Sequence, residues 1–566
     1  MNQYAVLHKP ESNFAYATAD DTIAVILRVA RNDRFDRIEI LYNNKYDFTK
    51  LRHTAPMREC ADDGTYKYYR GELTLADARF AYVFKLTQKG KTYYYSEEGV
   101  SSDYRFDIAY YTFFQFPFIN SVDVLRAPEW VERAVFYQIF VDRFCRGDYL
   151  KDDSYVNVRQ GQKIDRYSFA GGDLDGIAEK LDFLKDEGFN ALYLTPIFLS
   201  PSNHKYNVTD YLTVDPQFGT NEKLQRLLAS AHGKGVKVML DCVFNHCDRS
   251  HEYFKDAEEK GRASEYYDWF LIDGDFPSYE KGNYACFADC KYMPKWNTSN
   301  AKVRRYLTDV ALEYMRMGFD GLRFDVADEI SHELWRQIRR EVKAEFPQAY
   351  LVGEVWHLNE AWLRGDQFDG VMNYKLQKIL ADYFGGAGIP AKHAANRMNA
   401  LLMQNTEAAN GMAFNFLDNH DTARFLRVTG GNRDKLLCAL CAAVMFPGVP
   451  CVFYGTELPL DGGSDPDCRQ PFDWRQAGQP SGYREKLKEI LSLKRRLALT
   501  GGRAEIKAES GMLNIARAVA DGTVKAQFNT GRGTKKTDTD GEVIFGINYE
   551  NGKILSGGAV VVKYKK

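Results

Sequence analysis

Between Ala134 and Leu458 the chain carries eight short apolar runs of β character, and their spacing restricts the fold more than any other feature. They are AVFYQIF from Ala134, NALYLTPIF from Asn190, KVMLDCVFN from Lys237, FDGLRFDVA from Phe319, YLVGEVW from Tyr350, FDGVMNY from Phe368, MAFNFLDNH from Met412 and PCVFYGTEL from Pro450. Helical patterns separate most of them, such as LDGIAEKLDFLKDEG after Asp173 and NEKLQRLLASAHGKG after Thr220. The second stops at Gly235, a residue suited to a helix C-terminus. This alternation predicts an α/β fold, a (β/α)8 TIM barrel of parallel strands.

The flanks have a different texture. TIAVILRVA, RIEILY, YKYYRGELTL and FAYVFKLTQ read as strands, with a hairpin turn at Lys89-Gly90-Lys91, and predict an N-terminal β-sandwich. A linker-like stretch containing Pro128 follows, over 119–133. Between the third and fourth runs, residues 246–300 are rich in aromatics and acids and poor in apolar periodicity, too long for a plain loop. An inserted subdomain is expected there. From Leu499 the chain turns β-like again. The expected divisions are 1–123 for the sandwich, 124–498 for the barrel with its insertion, and 499–566 for a C-terminal β domain.

Bulk properties exclude several classes. A net charge of −2 in 566 residues gives no electrostatic footing for nucleic acid or an anionic membrane. The apolar run from Lys435 to Val449 is too short for a membrane span and is interrupted by Pro447. The start, MNQYAVLHKPESNFAY, lacks the basic and apolar regions of a signal peptide. The ten cysteines are scattered, and the Cys438/Cys441 pair lies in an apolar helical run, which reads as core. Reduced thiols and a cytoplasmic location are expected.

Four ordered motifs sit at the ends of separate β-runs: Asp241-Cys242-Val243-Phe244-Asn245-His246, Gly321-Leu322-Arg323-Phe324-Asp325, Gly353-Glu354-Val355-Trp356 and Phe416-Leu417-Asp418-Asn419-His420-Asp421. In such barrels catalytic groups project from the C-terminal strand ends. Any one of these acids could instead cap a helix, but four on successive eligible strands are hard to assign to capping. Cleaving a glycosidic bond with retention needs a carboxylate nucleophile and a carboxylic acid about 5–5.5 Å apart. Arg323 lies two residues before Asp325, on the same face of an extended strand, where a guanidinium keeps a carboxylate ionised. Glu354 lies beside Val355 and Trp356, and an apolar wall raises a carboxyl pKa, as an acid requires.

The motif series resembles that of the α-amylase family of retaining glycoside hydrolases, over nearly the whole chain. The resemblance implies Asp325 as nucleophile, Glu354 as acid and base, and Asp421 as stabiliser of the transition state. It implies Asp241 and Asn245 as positioning residues and His246 and His420 as donors to sugar hydroxyls. It extends to His204 and Tyr206, which hold and stack on the sugar beside the cleaved bond, and to Asp465 and Arg469, a further sugar-binding pair. No cofactor is required for the chemistry.

Within the family, Met293-Pro294-Lys295-Trp296-Asn297, the sequence VADE (326–329), GEVW and the N-terminal segment resemble the neopullulanase, cyclomaltodextrinase and maltogenic amylase group. That implies acceptor subsites shaped by Phe287, Glu329 and Trp356. It also implies cleavage of α-1,4 and some α-1,6 bonds in cyclodextrins, pullulan and maltooligosaccharides, with transglycosylation. Transferring or isomerising relatives share these motifs. Inactive scaffold relatives lose a catalytic acid, and all three are present here. A homodimer through the N-terminal domain is implied, the alternative being a packing module. Asp328 departs from the group's asparagine, and Cys247 and Trp296 depart from its usual residues. A structural Ca²⁺ is common in the group near the first strand–helix loop; Asp148, Asp152 and Asp173 remain here as oxygen ligands. Arg146 opposes the ion there, and a salt bridge from Arg146 is the alternative.

Overall fold

In the computed structural model, residues 1–47, 52–104, 110–386, 388–537 and 540–565 are described. The eight runs form eight parallel strands: β1 (Phe136–Ile139), β2 (Ala191–Leu194), β3 (Lys237–Cys242), β4 (Gly321–Phe324), β5 (Tyr350–Gly353), β6 (Gly370–Val371), β7 (Phe414–Phe416) and β8 (Val449–Phe453). They hydrogen-bond in the order β6-β5-β4-β3-β2-β1-β8-β7. A parallel bridge between Met372 and Phe414 joins β6 to β7 and closes the barrel. A Cβ on Gly370 would lie 2.0 Å from the Met412 carbonyl oxygen, so glycine permits that closure. Buried on both faces, these strands read as unbroken apolar runs rather than alternating ones. Phe136, Tyr193, Met239, Tyr350, Phe414 and Cys451 fill the barrel floor.

The helices pack their apolar stripes on the outside. Asn221–Gly233 is capped by Thr220, whose hydroxyl accepts from Lys223 N, and Gly235 follows at φ 73°. Ala301–Met317 buries Val303, Leu307, Val310, Ala311 and Tyr314 and stops at Gly318, in the left-handed region. The helix Arg433–Met445 is apolar all round because it lies between the barrel and the C-terminal sheet. Cys438 and Cys441 are both buried in it, as core side chains.

Two antiparallel sheets, of four and six strands, form the N-terminal sandwich over a core including Val25, Leu27, Ile40, Tyr82 and Phe84. Lys89 and Gly90, both at positive φ, turn Phe80–Gln88 into Lys91–Ser96, the two-residue hairpin expected there. The linker is pinned: Trp130 Nε1 donates to the Gln348 carbonyl at 2.9 Å. The insertion holds one longer helix, Glu252–Lys260, and isolated bridges such as His246–Lys295 and Phe270–Trp296. Its core is aromatic. Trp296 is fully buried, stacks on Phe270 and donates to Tyr211 Oη at 3.1 Å. The sequence departure at Trp296 is therefore a packing device. A six-stranded sheet from Glu505–Glu509 to Lys553–Lys565 ends the chain. Among the described residues no helix is long and apolar enough to cross a membrane.

Candidate active site

The four motifs converge at the C-terminal mouth of the barrel. Asp241 on β3 pairs in register with Arg323 on β4. The Arg323 side chain is fully buried, and its Nη1 donates to Asp241 Oδ1 at 2.7 Å and Asp325 Oδ1 at 2.9 Å. Its Nη2 lies 2.9 Å from Glu354 Oε1. One guanidinium thus joins three carboxylates from three strands, with Asp241 and Asp325 on Nη1 and Glu354 at Nη2. None of the four acids is a helix cap. Asp418 instead accepts from Phe425 N at 2.6 Å, the first amide of the helix Phe425–Val428, whose N-cap position is Arg424.

Asp241 is held by donors on both oxygens: Tyr193 Oη at 2.5 Å, Tyr206 Oη at 2.7 Å and Arg323. Glu354 differs from expectation. Trp356 gives it no apolar wall; the indole N–H donates to Glu354 Oε1 at 3.2 Å, and Tyr374 Oη donates to the same oxygen at 2.9 Å. Glu354 Oε2 accepts one N–H, from Val326 at 3.0 Å. Val326 sits at φ 46°, ψ 46°. A β-branched residue there costs on the order of 1–3 kcal/mol, a strain of the kind that clusters at functional sites. Here it turns the chain directly after Asp325 so that the amide faces Glu354.

Burial pushes the Asp325 carboxyl well up; Arg323 opposes this, and Glu354, Asp241 and Asp421 add to it. Burial, then the charge of Glu354, pushes Asp421 up to about 7, with Arg469 opposing. Two guanidiniums, Arg323 and Arg469, face five carboxyl groups, Asp465 included. Burial raises Asp241, Asp325 and Asp421 together, and their titration is shared rather than owned by one residue.

The three histidines are neutral. Burial lowers His204 and His246 to about 3, with Arg469 and Lys295 respectively adding to it. Burial, then Arg469, puts His420 well below its ordinary value. The hydrogen bonds fix the His420 tautomer. Gln138 Nε2 donates to its Nδ1 at 2.8 Å, so Nε2 carries the proton, shared between Tyr206 Oη at 2.6 Å and Asp421 Oδ2 at 3.2 Å. Tyr206 lies parallel to the His420 ring, 5.3 Å away. His246 stacks on Phe287 of the insertion at 4.9 Å, and its buried Nε2 has no protein partner. Asn245 accepts from Lys295, which also pairs with Glu329 at 3.3 Å. Arg469 joins Asp465 at 2.7 Å to Asp421 at 3.4 Å. Trp356 is 51% exposed and stacks on Tyr374 at 3.6 Å, forming a flat platform beside Glu354. The extra charge of Asp328 meets His357 Nε2 at 2.9 Å.

Sequence reasoning missed Gln138, Tyr193 and Tyr374. The first two point inward from β1 and β2, where a polar atom is the only mark against an ordinary core side chain. Tyr374 follows the sixth run as Asp325 follows the fourth, so the strand-end rule could have found it.

The alpha amylase catalytic-domain family matches residues 138–522, and the alpha amylase N-terminal ig-like domain family matches residues 1–120. The chain belongs to the α-amylase family of glycoside hydrolases. It is 39% identical to a cyclomaltodextrinase of Geobacillus thermopakistaniensis, over 92% of this chain and 90% of that one. It is 38% identical to neopullulanase 2 of Thermoactinomyces vulgaris, over 94% and 92%. A solved structure of a cyclomaltodextrinase, 32% identical, superposes with a TM-score of 0.90 over 100% of this chain and 98% of that one.

The acids implied as calcium ligands, Asp148, Asp152 and Asp173, have other partners in this structure. Asp148 is paired with Lys223 at 2.5 Å, and Asp152 faces solvent and accepts from Ser154 N at 2.9 Å. Asp173 caps the helix Leu174–Glu179 and accepts from the amides of Gly147, Asp148 and Gly176. Arg146 does form a salt bridge, but outward, to Asp153 at 2.7 Å. Among the described residues no group of three or more His, Cys, Asp or Glu could hold a metal ion.

The raised carboxyls also bear on stability. Asp421 titrates near 3.8 when unfolded and at about 7 when folded. Its contribution is fully present below the lower value and is lost as pH rises through the upper one. Asp421→Asn removes that dependence. Its Tm advantage over the parent is expected to grow from about pH 5 to about pH 8, read by differential scanning calorimetry. A third of the Asp421 side chain, 33%, meets solvent, so the expected gain is a few degrees.

Proposed function

We propose that this protein hydrolyses α-1,4 and some α-1,6 glucosidic bonds in cyclodextrins, pullulan and maltooligosaccharides, retaining anomeric configuration and transferring part of its product to acceptor sugars. The observation that carries the reading is that one guanidinium, Arg323, contacts both Asp325 and Glu354, which brings together the two carboxyl groups a retaining mechanism needs. The names of the cyclomaltodextrinase and neopullulanase relatives support the substrate class.

The mechanism follows from the contacts. Arg323 does not hold Asp325 ionised as its place in the sequence suggested, since burial outweighs it; Asp325 attacks the anomeric carbon in its deprotonated form, to which Arg323 supplies the counter-charge. Glu354 gives its proton to the departing glycosidic oxygen; Oε2, with one amide partner, is the oxygen that carries it. The glucosyl–Asp325 ester is then opened by water, whose proton Glu354 takes, and two inversions leave the configuration retained. Asp421, His420, His246 and His204 bond the hydroxyls of the distorted sugar, and Tyr206 stacks on its face. Neutral imidazoles suit this role, because His204 and His246 can each offer an N–H without adding charge, while the His420 N–H orients Tyr206 and Asp421. Phe287, Glu329 and the Trp356–Tyr374 platform shape the acceptor side, where a sugar can replace water.

Incubation with β-cyclodextrin and maltotriose is expected to give shorter sugars with a matching gain in reducing ends. Longer or rearranged sugars with little such gain would assign the protein to the transferring relatives instead. On pullulan, panose marks α-1,4 cleavage and maltotriose marks α-1,6 cleavage.

We also infer a cytoplasmic homodimer formed through the N-terminal sandwich. Exposed Tyr4 and Tyr46, the latter 65% exposed, support a contact surface there. Ten free cysteines, and a 36% identical relative named intracellular maltogenic amylase of Bacillus subtilis, support the compartment. Sedimentation at micromolar concentration is expected to give twice the 64.8 kDa chain mass; a monomer there removes the dimer.

A further inference from the structure

We propose that the Lys151 ammonium is a built-in cation, standing where the resemblance places calcium, and that it frees the fold from any need for that metal. Lys151 Nζ lies 2.8 Å from the Gly171 carbonyl, 2.7 Å from the Gln217 carbonyl and 2.8 Å from Asp173 Oδ2. Three oxygens meet the three N–H bonds of an ammonium. Calcium takes six to eight oxygens, and the other acids of the loop are engaged elsewhere. Lys223 takes Asp148 and Asp175, and Arg146 takes Asp153. The Lys151 side chain is 8% exposed, so its charge is held inside the loop rather than on the surface.

The backbone builds this cage. A Cβ on Gly147 would lie 2.3 Å from Gly176 N, so glycine lets the loop press onto the start of the helix Leu174–Glu179. That contact turns the amides of Gly147 and Asp148 onto Asp173 and orients its carboxylate toward Lys151.

The cage also reaches the active site. Gln217, whose carbonyl Lys151 holds, offers its side-chain oxygen to Lys205 Nζ at 2.6 Å; Lys205 also bonds Asp215 at 2.8 Å and the Ser200 carbonyl at 3.0 Å. Lys205 stands between His204 and Tyr206. Asn203 ties the same segment back to the Arg166 and Ser168 carbonyls at 2.9 Å each. Lys151 is thus a positioning residue for the sugar-binding pair, acting through Gln217 and Lys205.

The test is thermal unfolding of the full chain, stripped of metals, in chelator and in millimolar CaCl₂. The parent is expected to melt at the same temperature in both. Lys151→Ala is expected to melt several degrees lower in both, with KM raised more than kcat. Lys151→Met keeps the length of the side chain and removes its charge. It is expected to melt low in chelator and in calcium alike, with KM raised. A parent Tm that rises with calcium overturns the proposal, as does a Lys151→Ala protein that melts like the parent. A Lys151→Met protein that melts like the parent overturns the ammonium as the stabilising group. The parent measurement stands even if a variant does not fold.

Discussion

Asp325→Asn is expected to lower kcat on β-cyclodextrin by about 10⁴-fold or more while leaving the fold intact. The change is isosteric and keeps an oxygen for Arg323 Nη1, but an amide cannot form the glucosyl ester. Stability should hold or rise. Burial and three neighbouring acids push the Asp325 carboxyl well up, so its ionised form is disfavoured in the folded protein, and a neutral amide removes that penalty. Steady-state kinetics alongside thermal unfolding checks both halves. Residual activity within about tenfold of the parent would remove Asp325 as nucleophile.

Glu354→Gln is expected to separate substrates by leaving group. The glucose or maltose expelled from maltotriose leaves as an alkoxide unless it is protonated, and the glycosylation step on this substrate should fall by about 10²–10⁴-fold. An aryl maltoside with an acidic phenol leaves unaided and should lose far less in that step. The Arg323, Tyr374 and Trp356 contacts all reach Oε1 and survive replacement by glutamine, while the Val326 amide, which donates to Oε2, loses its acceptor. Pre-steady-state bursts on the two substrates give the measurement. Equal losses would show that residue 354 does not protonate the leaving oxygen.

The barrel was legible because its strands are buried on both faces and its helices on one, and these conditions write different periods into the chain. The clustered acids Asp241, Asp325, Glu354 and Asp421 were legible through their place at strand ends. The surroundings of Glu354 were not. Val355 and Trp356 suggested an apolar wall, but the indole N–H turns toward the carboxyl and Tyr374 comes in from after β6, twenty residues along the chain. Tyr193 and Gln138 read as core residues on apolar strands; only the barrel's closure brings them onto Asp241 and His420. In the first strand–helix loop, Arg146 was the visible cation, yet Lys151 is the one that turns inward. The insertion gave no periodic signal because its core is a cluster of aromatic rings joined by single bridges, which leaves no repeat along the chain.

The sequence by itself determined the architecture, the family and the order of the acids, since strand and helix periods and short strand-end motifs are local properties. Only the tertiary structure decided how charge is shared. Arg323 touches Asp241, Asp325 and Glu354 at once, burial raises Asp241, Asp325 and Asp421 together, and Lys151 fills a cage of oxygens drawn from separate loops. Electrostatic energy depends on distance and burial in space, and neither follows from separation along the chain.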